Sequence, residues 1–198
     1  MLFGRKNKIN ISETYSEIIK DIKSYLKEMG FESKGNTLRC NSFDNVVFIS
    51  FQKSKSSNNQ EISFTINCGI CSKVIHEYQG RNGGNINLED CQWIKRVGFF
   101  TPENKDLWFV VNGNNSIDSN EIKLILSTYV LPELFTLSKD IELLRTWENN
   151  INTRVTEFNR LLYITILNKH YFPENFSSSM KILEDFAQKN SINLKSFF

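Results

Sequence analysis

The sequence predicts an α+β fold: an antiparallel sheet of about five strands, helices packed on one face, and a helical C-terminal extension. Three observations lead there. Residues 61–70 alternate polar and apolar side chains without a break, and strand side chains point to opposite faces with a period of two. The strand-like segments follow one another at hairpin-length spacing, which pairs them antiparallel. Helical stripes stand before and after this block, so helices and sheet are segregated.

Residues 14–29 carry Tyr15, Ile18, Ile19, Ile22, Leu26 and Met29 at i, i+3, i+4 spacing, the apolar stripe of an amphipathic helix. Thr14 and Glu17 have capping-box spacing, and Gly30 stands where a helix ends. An extended stretch follows from Phe31 to Cys40, with a turn at Gly35 and Asn36. Residues 46–53 form a strand with apolar groups on both faces, joined by the polar loop 54–59 to the strand at 61–70.

Ile62, Phe64, Ile66, Cys68 and Ile70 face a core; Ser63, Thr65 and Asn67 face outward. If Phe51 shares the face of Phe64, then Gln52 joins Thr65 and Asn67, and Val46 and Phe48 lie on that outer face too. The outer face is therefore polar at one end and apolar at the other. A short helical segment and a Gly- and Asn-rich loop, residues 80–85, come next. Residues 93–100 and 107–111 read as two further strands joined by a turn at Pro102.

After residue 117 the pattern turns helical. Asp118 and Glu121 repeat the capping spacing ahead of Ile122, Ile125, Leu126, Tyr129 and Val130, and Pro132 kinks or divides that helix. Ser138 is placed to cap a helix carrying Ile141, Leu144 and Trp147; residues 155–167 and 180–189 supply two more. The predicted division is an α+β domain over residues 1–147 and a helical extension over 148–198 packed on the same domain.

Composition narrows the function classes. The chain has 198 residues, 40% hydrophobic and 23% charged, the balance of a soluble globular protein. Lys and Arg number 24 against 22 Asp and Glu. That parity gives no global attraction for nucleic acid or an acidic membrane. No apolar run reaches the roughly 18 residues of a membrane span, and no signal-peptide core follows the basic N-terminus. A cytoplasmic protein is expected. Cys40, Cys68, Cys71 and Cys91 are then expected to stay reduced.

Several short motifs add a resemblance. Leu26-Lys-Glu-Met-Gly-Phe31, Lys34-Gly-Asn-Thr37, Phe51-Gln-Lys-Ser54, Phe64-Thr-Ile-Asn-Cys-Gly-Ile70, Arg96-Val-Gly98, Asp106-Leu-Trp108 and Leu131-Pro132 resemble, in order and spacing, the bacterial domain of unknown function 4304 family. The resemblance spans residues 12–147. It implies the α+β fold and assigns no activity, cofactor or catalytic residue.

Cys68 and Cys71 have the spacing of a metal knuckle or redox pair. On one strand they point to opposite faces, and Cys68, in the apolar phase, reads as a small core hydrophobe; no metal, cofactor or catalytic residue is predicted. Residues 80–85 match neither a dinucleotide nor a P-loop pattern and read as a surface loop. His76 and His170 read as surface or helix-end residues. Arg96 stands among apolar residues, either on the outer face or paired with a carboxylate; Asp106 is the partner across the Pro102 turn. The apolar C-terminal residues, from Phe158 to Phe198, pack on the domain or form a dimer or partner interface.

The candidate site is therefore Gln52, Lys53, Thr65, Asn67, Arg96 and Trp108. The preferred reading is a non-enzymatic protein-binding module using the polar sheet face, of the kind found in immunity-like or toxin-associated roles. One alternative is a binder of, or enzyme on, a small anionic ligand, with a pocket around Arg96 and Trp108. Another is a single-strand nucleic-acid binder, which the charge parity disfavours.

Overall fold

A computed structural model describes residues 10–80, 86–113, 116–151 and 155–194. It contains six strands: β1 (Glu32–Lys34), β2 (Thr37–Ser42), β3 (Asn45–Lys53), β4 (Glu61–Ser72), β5 (Trp93–Arg96) and β6 (Phe109–Asn112). Its helices are α1 (Ile11–Glu28), α2 (Lys73–Tyr78), α3 (Ser119–Ile125), α4 (Leu131–Leu137), α5 (Asp140–Glu148), α6 (Glu157–Tyr171) and α7 (Pro173–Lys189). The strands form one antiparallel sheet in the order β1-β2-β3-β4-β5, with β6 also paired to β4. The α+β fold is as the sequence predicts.

Contacts group the described residues into two compact units, each drawn from three stretches of chain. The first comprises Met1–Leu38, Ile49–Asn67 and Arg96–Leu131. Its core is α1 against the inner face of β4 and β6. Ile18, Ile19, Ile22 and Leu26 are buried along the predicted stripe. Phe64 holds the middle, with Tyr15 edge-on at 5.3 Å and Phe109 tilted at 5.4 Å between ring centroids. Phe109 is the residue directly opposite Phe64 in the β4–β6 register, so the ring pair is a cross-strand contact.

The N-terminal cap lies earlier than the sequence suggested. Asn10 Oδ1 accepts from the Glu13 amide, while Thr14 donates its hydroxyl to the Asn10 carbonyl. Two candidate caps stand four residues apart, and the earlier one adds a further helical turn. Likewise, the strand expected over residues 93–100 stops at Arg96 and tightens into a single turn, Val97–Phe99. β6 pairs with β4, so no hairpin joins it to β5.

The second unit comprises Arg39–Phe48, Cys68–Lys95 and Pro132–Phe198. Its helical layer is built around α6, in which every residue from Leu161 to Asn168 is buried. A helix apolar around its circumference must be surrounded, and α2, α5 and α7 all pack on it. Most of the apolar load of the C-terminal segment is thereby covered within its own unit; Phe197 and Phe198 lie outside the described residues. α7 begins at Pro173, two turns before the expected start, with proline at its first position.

In the same unit Val46, Phe48 and Cys71 form an apolar cluster covered by Ile86, Leu88 and Cys91. Val46 and Phe48 thus share the outer-face phase, as the sequence predicts, and a short segment after α2 covers them. Gly69 permits the cover, since a Cβ there would sit 2.7 Å from Leu88 and 2.8 Å from Cys91 Sγ. The helix break foreseen at Pro132 falls just before it, as a π-helical turn over Leu126–Val130. Proline clashes with the carbonyl four residues back, which is that of Thr128, inside the turn. Ser138 does not cap α5. Its hydroxyl donates to the Phe135 carbonyl and meets Ser42. No described helix is long and apolar enough to cross a membrane.

Candidate functional site

Four of the six predicted site residues meet on the outer face of the first unit. β3 and β4 place Gln52 and Asn67 side by side, and Asn67 Nδ2 donates to Gln52 Oε1 at 2.8 Å. Arg96, the last residue of β5, donates from Nε to Asn67 Oδ1 at 3.4 Å. Its Nη1 donates to both oxygens of Asp106, at 2.9 and 2.8 Å. Trp108 Nε1 donates to Asp106 Oδ2 at 3.0 Å, and the Arg96 guanidinium carbon lies 5.4 Å from the centroid of the indole. The expected Arg96–Asp106 pair is therefore present, and Trp108 completes a chain of five side chains.

The network is held from below by close backbone packing. A Cβ on Gly98 would lie 2.1 Å from the Lys105 carbonyl oxygen and 2.7 Å from the Leu107 amide nitrogen. Only glycine lets the segment bearing Asp106 and Trp108 approach this closely. Thr65 supplies a second pin, its hydroxyl donating to the Leu107 carbonyl at 2.8 Å. Thr65 is thereby fully buried and supports the cluster from beneath. Lys53 belongs to the opposite phase of β3: its ammonium lies 5.8 Å from the Tyr15 ring on the α1 side.

The cluster is half open to water. Arg96 and Asp106 retain 31% and 44% of their side-chain exposure. The bond from Arg96, with that from Trp108, holds the Asp106 carboxyl below its ordinary range. Charge is balanced within the pair. Among the described residues, Arg96 Nη2 and Gln52 Nε2 make no hydrogen bond, so two donors are left to a ligand.

The remaining candidates lie elsewhere. Cys68 is buried in the second unit, near Lys95 and Glu133, and burial pushes its thiol up. Cys71 belongs to the cluster with Val46 and Phe48, so the two thiols do face apart. Cys91 is raised mainly by burial as well; such thiols are poor nucleophiles. None of the four cysteines forms a disulfide, and the described residues hold no group of three or more potential metal ligands. His76 lies in the last turn of α2 and is buried, which the expectation of a surface or helix-end position only half anticipates; His170 ends α6, edge-on to Tyr171. Of the loop 80–85, all but Gly80 lies outside the described residues.

Gly98 belongs to the site and is not among the residues that the sequence singles out. Its signal was its place in the Arg96-Val-Gly98 motif. The segments that carry the resemblance in the middle of the chain (51–54, 64–70, 96–98 and 106–108) are the ones that meet here. A family model described as Domain of unknown function (DUF4304) matches residues 22–134, more than half of the chain. The protein therefore belongs to that family. No curated protein and no solved structure matches it.

Proposed function

We propose that this member of the DUF4304 family is a non-enzymatic protein-binding module. Its contact surface is the cluster of Gln52, Asn67, Arg96, Asp106 and Trp108. One observation carries the reading: an arginine and a tryptophan, residue types enriched in binding hot spots, are fixed against each other in an exposed, charge-balanced network with donors left over. Preorganised side chains lose little entropy on binding. The uncommitted donors of Arg96 and Gln52 suit main-chain carbonyls or neutral acceptors on a partner.

The alternatives fit less well. An anion would have to displace Asp106 from Arg96, and Lys53, the lysine among the predicted site residues, belongs to the α1 side. A nucleic acid would find that arginine already neutralised, on a chain of net charge +2. An immunity-like or toxin-associated role remains the class of function this reading suggests.

The test is site-directed photo-crosslinking. A photoreactive residue at Gln52 is expected to capture a specific protein in the host cell, and Trp108→Ala is expected to reduce that capture about tenfold or more. Absence of any captured protein, or capture indifferent to Trp108→Ala, overturns the proposal.

A further inference from the structure

A second candidate site lies wholly within the second unit. α4 and α5 are joined by Ser138 and Lys139 alone. The two helices and Trp93 of β5 line a cleft of about 380 Å³, a volume in the range of small-molecule sites. Trp93 and Leu137 are buried beneath it, and Pro132 and Ile151 are exposed at its rim.

The way α5 ends holds Ile151 at that rim. Asn150 takes the left-handed conformation, at φ 54°, which asparagine tolerates better than most residues. The Ile151 amide then donates to the Thr146 carbonyl, and the Asn150 amide to the Trp147 carbonyl. This is the Schellman arrangement, which brings the residue after the turn back against the last turn of the helix. An isoleucine that stays 56% exposed is thereby fixed beside the cleft.

The polar side chains lining the cleft act as acceptors. Thr136 and Thr146 donate their hydroxyls to the Pro132 and Glu142 carbonyls of their own helices, at 2.9 and 2.8 Å. The indole nitrogen of Trp93 is wholly buried and out of reach. Glu133 remains. Its two oxygens accept from the Lys95 ammonium at 2.8 and 2.9 Å. The lysine side chain is 5% exposed and the glutamate 34%. A carboxylate has about four lone-pair sites, so Glu133 keeps accepting capacity on its open side while Lys95 cancels its charge.

We infer that this cleft binds a small uncharged ring carrying one hydrogen-bond donor, such as a phenol or an indole. The ring lies against Trp93, Leu137, Pro132 and Ile151, and its O–H or N–H donates to Glu133. Charged relatives of such a ligand fit less well. An ammonium at Glu133 stands close to the Lys95 ammonium and is repelled by it. A carboxylate faces Glu133 and finds no donor among the side chains lining the cleft. The site shares no residue with the protein-binding cluster of the first unit, and either reading stands without the other.

The test is an amide-resolved NMR titration of the full chain with p-cresol, p-methylanisole, p-methylbenzylamine and p-toluate. The cresol is expected to give saturable shifts centred on α4, the end of α5 and Trp93. The anisole, which lacks only the donor, is expected to bind about tenfold more weakly. The two charged probes are expected to give no saturable shift over the same range. Thr136→Trp, at an exposed position of α4, fills the cleft and is expected to abolish the cresol shifts. Lys95→Met combined with Glu133→Leu removes the ion pair without stranding a buried charge, and cresol and anisole are then expected to bind alike. Equal binding of cresol and anisole to the unsubstituted chain, or a preference for cresol that survives the double substitution, would overturn the assignment. So would saturable binding of either charged probe, shifts centred elsewhere, shifts undiminished by Thr136→Trp, or no saturable shift at all.

Discussion

The two units each contain a hydrogen-bonded network of polar side chains centred on an aspartate, and the two aspartates behave in opposite ways. In the first unit Asp106 is open to water, pairs with Arg96 and accepts from Trp108; its carboxyl is held low. In the second unit Asp140 is fully buried at the first turn of α5, accepting from Asn45 at 2.9 Å and Tyr171 at 3.1 Å, with Asp44 nearby. Burial outweighs those bonds, and its carboxyl is held high. The same burial, with the charge of Asp140, pushes the Tyr171 hydroxyl up. Solvent decides the difference. An exposed carboxylate keeps most of its hydration and gains a cation, whereas a buried one loses hydration and gains only neutral donors. The first arrangement leaves groups for a partner; the second ties together β3, α5 and the end of α6.

The comparison breaks most visibly at Asp140. Asp140→Ala leaves Asn45 and Tyr171 without their shared acceptor and is expected to cost about 3 kcal/mol in urea unfolding; a loss no larger than that of Asp106→Ala erases the distinction. Gly98→Ala comes next. The added Cβ meets backbone at the Lys105 carbonyl and the Leu107 amide, so the 105–107 segment must move, at about 2 kcal/mol. Crosslinking from position 52 should fall with it. Gly69→Ala meets only the side chains of Leu88 and Cys91 and is expected to cost less; the reverse order contradicts the packing described. Trp108→Ala should shift stability by no more than about 1 kcal/mol, since the indole is half-exposed and its partner is a surface carboxylate.

The pH dependence sharpens the contrast at the smallest scale. Asp106, with a lowered folded value, contributes stability that is present above the ordinary carboxylate range and lost as pH falls through the folded value. Asp140, with a raised value, contributes most when protonated, and that contribution is lost as pH rises through its folded value. Asp106→Asn should therefore be more damaging near neutrality than in acid, and Asp140→Asn more damaging in acid than near neutrality. Parallel unfolding curves at both pH values for the two variants would sink this account.

Much of this was legible in the residues. The alternation over 61–70 located β4, and phase alone put Gln52, Asn67, Val46 and Phe48 on one face, because a period of two leaves no other choice. Arg96 was marked by its apolar neighbours and Asp106 by its distance along the turn. Phase was silent about what lies over a face. Thr65 reads the same as Asn67 along the strand, yet the 105–107 segment covers one and not the other. Lys53 follows Gln52 in the same short motif and belongs to the other side. The capping-box spacing of Thr14 and Glu17 pointed to the wrong cap, although asparagine, as at Asn10, is the better single-residue N-cap.

β4 carries one further consequence. Its residues up to Asn67 belong to the first unit, and those from Cys68 to the second. Each unit is threaded from three separate stretches of chain. No single cut yields a fragment holding either unit whole. Surface-display and truncation libraries built on this protein should recover function only from near-complete chains, with point substitutions as the workable route to separating the roles of its two units.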